Sequence, residues 1–167
     1  IGDRTALPLS HYLYPELRRT PVDAEQAESE LTATEHTQPV LYAVANALTR
    51  ILEDAGVKPT VTAGHSVGEF AAAVASGVLS AEDDARFVTA RGRAMADMTG
   101  DCGAMLAIRG DVQTAESILV PGAIVANINH PQQTVIAGTT NAIDQVEAKA
   151  HEAGITPIRL NVSHGFH

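Results

Sequence analysis

Gly64-His65-Ser66-Val67-Gly68-Glu69 is the stretch whose residue types and spacing point most directly to chemistry. A serine sits between two glycines, with a β-rich run at 59–63 before it and a small-residue run at 70–75 after it. That pattern predicts strand, tight turn and helix, with the serine Oγ exposed on a strained turn: a nucleophile elbow. Gly64 and Gly68 are expected where a Cβ would crowd the turn or the helix–strand contact. The Val67 N–H, at the helix start, is oriented to meet an oxyanion and gains from the helix dipole. A plain glycine-rich helix start gives the same five-residue pattern, and it stays open as an alternative. Such a serine needs a base, and Val162-Ser163-His164-Gly165-Phe166-His167 supplies two histidines three apart. No cysteine pair or His-x-x-x-His helix pattern accompanies them, so no metal site is expected. Arg91 is the remaining odd residue, a cation in the apolar stripe of Val88, Met95 and Met98. Arg86 and Arg93 look like ordinary solvated charges.

The elements that must hold these groups follow from periodicity and caps. Residues 1–33 are broken by Pro8, Pro15 and Pro21 and are expected to be mainly loop, with a short helix at 14–19 as an option. Thr37 is a predicted N-cap with Gln38 and Pro39 in the first turn, and Val40, Leu41, Val44, Leu48, Ile51, Leu52 and Ala55 recur at helical spacing up to Gly56. Gln38 is either a ligand contact or a polar first-turn residue bonded to its neighbours. Ser80-Ala81-Glu82-Asp83 resembles a capping box that opens the helix of Arg91. From Gly103 the pattern changes to strand 104–108, helix 112–119 capped by Asp111, strand 124–128, turn 129–132, strand 133–137, helix 141–153 and strand 155–162. This β-α-β-β-α-β order is the split βαβ arrangement of ferredoxin-like domains. The expected fold class is therefore α/β: an α/β-hydrolase-like large subdomain with the nucleophile elbow over 1–102, an inserted ferredoxin-like small subdomain over 103–162, and a return to the large subdomain over 163–167.

Composition narrows the function classes. The chain has 167 residues, 45% of them hydrophobic, enough for a cored domain. A net charge of -9 argues against nucleic acid or an anionic membrane surface as partner. Cys102 is alone, which excludes an internal disulfide and fits a reducing compartment. No run of about 18 apolar residues or signal-peptide pattern is present, and a cytoplasmic location is expected.

With these segments in view, the chain resembles the malonyl-CoA:acyl carrier protein acyltransferase family, which includes the acyltransferase domains of polyketide and fatty acid synthases. The pieces that carry the resemblance are Thr37-Gln38-Pro39, residues 64–69, Arg91-Gly92-Arg93-Ala94-Met95, Gly103-Ala104-Met105, Asn127-Ile128-Asn129-His130-Pro131 and His164-Gly165-Phe166-His167. They occur in the family's order across 37–167. The resemblance implies that Ser66 is acylated and that His167 is its general base. It implies that Arg91 holds the free carboxylate of a malonyl group, and that His65, Gln38, Asn127 and Asn129 line the site. For His65 a packed structural role, and for Asn129 a turn-forming one, remain open. Coenzyme A enters as the thioester substrate and the pantetheine arm of an acyl carrier protein as acceptor, with no cofactor of the enzyme's own and with neighbouring synthase domains as possible partners. His164-Gly165-Phe166-His167 is similar to the His-Ala-Phe-His form associated with malonyl selection. Methylmalonyl-selecting relatives usually carry Tyr-Ala-Ser-His there, and often Gln where this chain has Val67. Gly165 in place of Ala is expected to give Phe166 extra freedom. The family's N-terminal oxyanion motif and C-terminal segment have no counterpart here, which leads to the expectation of an interior portion of a larger domain.

Two other readings stay open on the sequence. A serine esterase or thioesterase of α/β-hydrolase type also has Ser before His, with Asp97, Asp101, Asp111 or Asp144 available as the acid. The inserted β-α-β-β-α-β unit and Arg91 argue against it. An inactive module that only docks a carrier protein is the non-enzyme reading.

Overall fold

A computed structural model describes residues 7–167; positions 1–6 of the expected N-terminal loop lie outside the described residues. The fold is mixed α/β and divides into two compact units, the first ending at Asp97 and the second running Met98–His167. The division falls ahead of the 102/103 boundary expected from sequence, and residues 163–167 group with the second unit.

The first unit is helical among the described residues. Its helices are α1 (Ser10–Leu13), α2 (Ala24–Thr32), α3 (Thr34–Asp54), α4 (Gly68–Ala75) and α5 (Ala81–Ala96), with a 3-10 turn at Pro15–Leu17. The expected loop before residue 33 is thus corrected by α2. The Asp23 side chain accepts from the Gln26 N–H and caps it. Arg18 ties it back through a 2.6 Å ion pair to Glu30. The start of α3 is corrected as well: the helix opens at Thr34, with Pro39 inside it. Thr37 does not cap; its hydroxyl donates back to the carbonyls of Leu31 and Ala33. Residues 59–63 form no strand. A strand needs a partner ladder, the described part of this unit has none to offer, and Val61 is 83% exposed. Val88, Tyr42, Ala71 and Ala85 make the buried core where α3, α4 and α5 meet. Ser80 caps α5 as expected, its Oγ accepting from the Asp83 N–H and donating to the Asp83 carboxylate at 2.8 Å.

The second unit runs β1 (Ala104–Ile108), α6 (Val112–Ser117), β2 (Ala123–His130), β3 (Gln133–Gly138), α7 (Thr140–Glu152) and β4 (Pro157–Arg159). The spatial order is β2-β3-β1-β4, and all neighbours are antiparallel. Alternation along the strands sorts the two faces. Leu106, Ile108 and Ile136 join Ile143, Val146 and Ala150 of α7 and Ala115 of α6 in one core. Met105, Ala107, Val135 and Ala137 point the other way and take Phe166 and Leu160 against them. The last strand is shorter than the expected 155–162, and the turn after β2 is confined to Pro131 and Gln132. No described helix is long and apolar enough to cross a membrane.

Candidate active site

Ser66 stands at φ 53, in the left-handed region. A residue with a β-carbon adopts that conformation at a cost of order 1–3 kcal/mol. The backbone closes on it at once: Gly68 N–H donates to the His65 carbonyl at 2.9 Å and Glu69 N–H to the Ser66 carbonyl at 3.1 Å. The helix that follows, α4, therefore begins directly on the serine turn, with Val67 as its N-cap residue. A Cβ on Gly64 would stand 2.2 Å from the Gly68 carbonyl carbon and 2.3 Å from the Glu69 nitrogen. Gly64 is thus required by a backbone-to-backbone approach. The crowding expected at Gly68 is not found, because no described atom lies within 4 Å of a Cβ built there. The contact is between the Gly64 Cα and the Gly68 peptide, and only the first residue's side-chain space is taken. Ser66 and Val67 are half-buried and His65 is exposed.

Arg91 lies on α5 and is half-buried. Its Nη1 donates to the Gln38 side-chain carbonyl on α3, and its guanidinium carbon lies 5.8 Å from the centroid of the Phe70 ring on α4. Burial pulls the Arg91 pKa down, and the Glu69 carboxylate opposes that shift. The group remains a cation at neutral pH. Gln38 is buried, and its Nε2 donates to Thr34 Oγ1 at 2.7 Å and to Met95 Sδ at 3.1 Å. Three helices of the first unit thus converge on one guanidinium. Arg93 departs from the solvated reading: its Nη2 is buried without a partner among the described residues.

In the second unit, Asn127 and Asn129 both lie on β2, where the pairing with β3 shifts register between Val125 and Asn127 and between Ile128 and His130. Asn129 is an exposed strand residue, which replaces the turn role considered for it. His164 is buried, with Nδ1 2.9 Å from Ser163 Oγ and its ring 5.7 Å from the Phe166 ring. Gly165 is held rather than free. Its N–H donates to the Cys102 carbonyl at 2.7 Å, and an added Cβ would stand 3.1 Å from the Gly138 carbonyl oxygen and 3.2 Å from the Ala104 nitrogen. Phe166 is consequently anchored on both sides: by the backbone at Gly165 and by the sheet face it covers. His167 follows it, with φ 62.

Thr34 and Phe70 also belong to the Arg91 surroundings, beside the Met95 of its own stripe, and were not singled out by the sequence pattern. One signal was available, a glycine inside a helix next to the odd arginine. A Cβ on Gly92 would lie 3.1 Å from the Thr34 carbonyl oxygen and 3.2 Å from the Glu35 Cα, so α5 lies tight against the start of α3 there.

The family model described as "Acyl transferase domain" matches residues 17–167. Polyketide synthase GfsA of Streptomyces halstedii is 38% identical over 171 residues, spanning 100% of this chain and 2% of that protein. The acyltransferase domain from the second module of the salinomycin polyketide synthase superimposes with a TM-score of 0.80 at 37% identity, over 95% of this chain and 38% of that one. The malonyl CoA-acyl carrier protein transacylase from Clostridium perfringens gives a TM-score of 0.82 at 28% identity, over 96% of this chain and 50% of that one. The chain therefore spans half or less of the length of each of these relatives.

Proposed function

The chain belongs to the acyl transferase domain family, and from that premise we propose that it moves a malonyl group from coenzyme A, through a Ser66 ester, to the pantetheine thiol of an acyl carrier protein. The observation that carries the reading is the φ of 53 at Ser66 on a turn that opens directly into α4. Backbone strain of this kind at a serine is typical of a working nucleophile. Polyketide and fatty acid enzymes among the relatives favour the same reaction class.

In this mechanism Ser66 Oγ attacks the thioester carbonyl while His167 takes its proton. The developing oxyanion is met by the Val67 N–H at the start of α4. Collapse expels the coenzyme A thiolate, which recovers the proton from His167. In the second half-reaction His167 deprotonates the pantetheine thiol, the sulfur attacks the Ser66 ester, and the serine oxygen leaves with the proton returned. Arg91 grips the free carboxylate of the malonyl group with two parallel hydrogen bonds, a geometry that lysine lacks. Asn127, Asn129, His65 and His164 line the substrate in this reading, and Phe166 fills the space that an α-methyl group would need. The second unit, with its β-α-β-β-α-β order, is the ferredoxin-like small subdomain of an α/β-hydrolase-like architecture.

The experiment is to load the full-length protein with labelled malonyl-CoA, remove free substrate and add a holo acyl carrier protein. Label should pass to the carrier thiol faster than it appears as free malonate. Release as free acid at a rate indifferent to the carrier would refute transfer and make the protein a hydrolase.

A further inference from the structure

We propose that Thr34 is a positioning residue for carboxylate recognition, fixing the Gln38 amide and through it the plane of the Arg91 guanidinium. The proposal rests on the reading of Arg91 as the carboxylate anchor. A glutamine amide carries one acceptor and two N–H donors, and a guanidinium only donates. The Gln38 oxygen must therefore face Arg91, and the structure accounts for both amide hydrogens on the far side, with Thr34 Oγ1 at 2.7 Å and Met95 Sδ at 3.1 Å. Flipping the amide would set N–H against N–H at Arg91, so Arg91 dictates which way the amide faces, and Thr34 Oγ1 then accepts from its Nε2 and holds it there. Sulfur is a weak acceptor, so the hold on the Nε2 end of the amide rests chiefly on Thr34.

Thr34 and Gln38 are 5% and 6% exposed, so water is poorly placed to replace a lost partner. Gly92 holds the start of α3 against α5 at the same level, which keeps the relay at hydrogen-bond length across two helices. The Phe70 ring lies against the guanidinium from α4. With Nη1 committed to Gln38 and the ring beside it, the guanidinium plane is fixed before substrate arrives. Two parallel bonds to a carboxylate require that preorganisation. A substrate without a carboxylate gains nothing from it.

The test compares Ser66 acylation by malonyl-CoA and by acetyl-CoA in the full-length protein. Thr34→Val keeps the volume and removes the oxygen. It should raise the KM for malonyl-CoA about five- to tenfold, the effect of one hydrogen bond, and should lower the malonyl-over-acetyl ratio of kcat/KM by a similar factor. Thr34→Ser should restore both. Thr34→Ala deletes the same oxygen without added bulk and serves if the valine variant does not fold. Arg91→Ala is the reference that collapses the ratio. A collapsed ratio in Arg91→Ala with an unchanged one in Thr34→Val or Thr34→Ala overturns the positioning role and leaves the anchor intact. An unchanged ratio in Arg91→Ala overturns the anchor, and the proposal with it.

Discussion

Replacing Gly64 by alanine perturbs the elbow at its closest approach. The new methyl would lie 2.2 Å from the Gly68 carbonyl carbon, 2.3 Å from the Gly68 oxygen and 2.3 Å from the Glu69 nitrogen. All three are backbone atoms, so no side-chain rotation relieves the contact. Reaching the 3.4 Å of ordinary contact requires a displacement of about 1.2 Å between the turn and the first residues of α4. Ser66 and Val67 lie between the two points that must separate, and they move with them. Overpacking of this kind typically costs about 1–3 kcal/mol of stability. A misplacement of about 1 Å at reacting atoms typically costs about 10²-fold in rate. The assay is rapid-quench acylation from malonyl-CoA followed by intact-mass detection, with the urea midpoint measured alongside. Gly68→Ala is the internal contrast, because its Cβ meets no described atom within 4 Å; several-fold at most is expected there. Near-normal acylation by Gly64→Ala, or an equal loss in Gly68→Ala, would refute the reasoning.

Ser80→Ala should lower stability by about 1 kcal/mol by removing the cap of α5, read as a shift in urea midpoint with an unchanged slope. Asp84 is 1% exposed, and burial pushes its pKa above 3.8 while the Tyr42 hydroxyl beside it opposes the shift. Because the folded-state value is raised, its contribution to stability is fullest below 3.8 and is lost as pH rises through the raised value. Urea midpoints between about pH 3 and 7 should show wild-type stability falling relative to Asp84→Asn over that window, and a parallel pair of curves would contradict this. With equal malonyl-CoA and methylmalonyl-CoA, kcat/KM for acylation should favour malonyl about 10–200-fold, the usual worth of one methyl group. Phe166→Ser should reduce that ratio, and a wild-type ratio near one would remove Phe166 as the gate.

The second unit was legible because its central strands are short apolar runs next to glycine, as at Ala104–Ile108 and Gln133–Gly138, and its helices carry their own caps, as at Asp111 and Thr139. The first was harder. The composition of α2 is polar, and the helix is held by the Asp23 cap and the Arg18–Glu30 pair rather than by an apolar stripe. Thr37 has the right type for a cap, yet its hydroxyl is used to bond backward, and a proline six residues into α3 hides the true start. The sequence singles out Ser66 by its neighbours because the elbow is a local motif, and Arg91 because a charge interrupts an apolar face. The Gln38–Arg91 contact joins residues 53 apart in sequence, and no periodicity reports such a pair. Gly165 shows the opposite failure. A glycine suggests freedom, but here the absent Cβ permits a close approach that holds Phe166 in place.

Whether Ser66 carries the acyl group is decided by intact-mass analysis of the full-length protein after incubation with malonyl-CoA. One malonyl adduct is expected on the wild-type protein, mapped by peptide digestion to Ser66, and none on Ser66→Ala. An adduct that persists on the folded Ser66→Ala variant, or one that maps to another residue in the wild type, would contradict it.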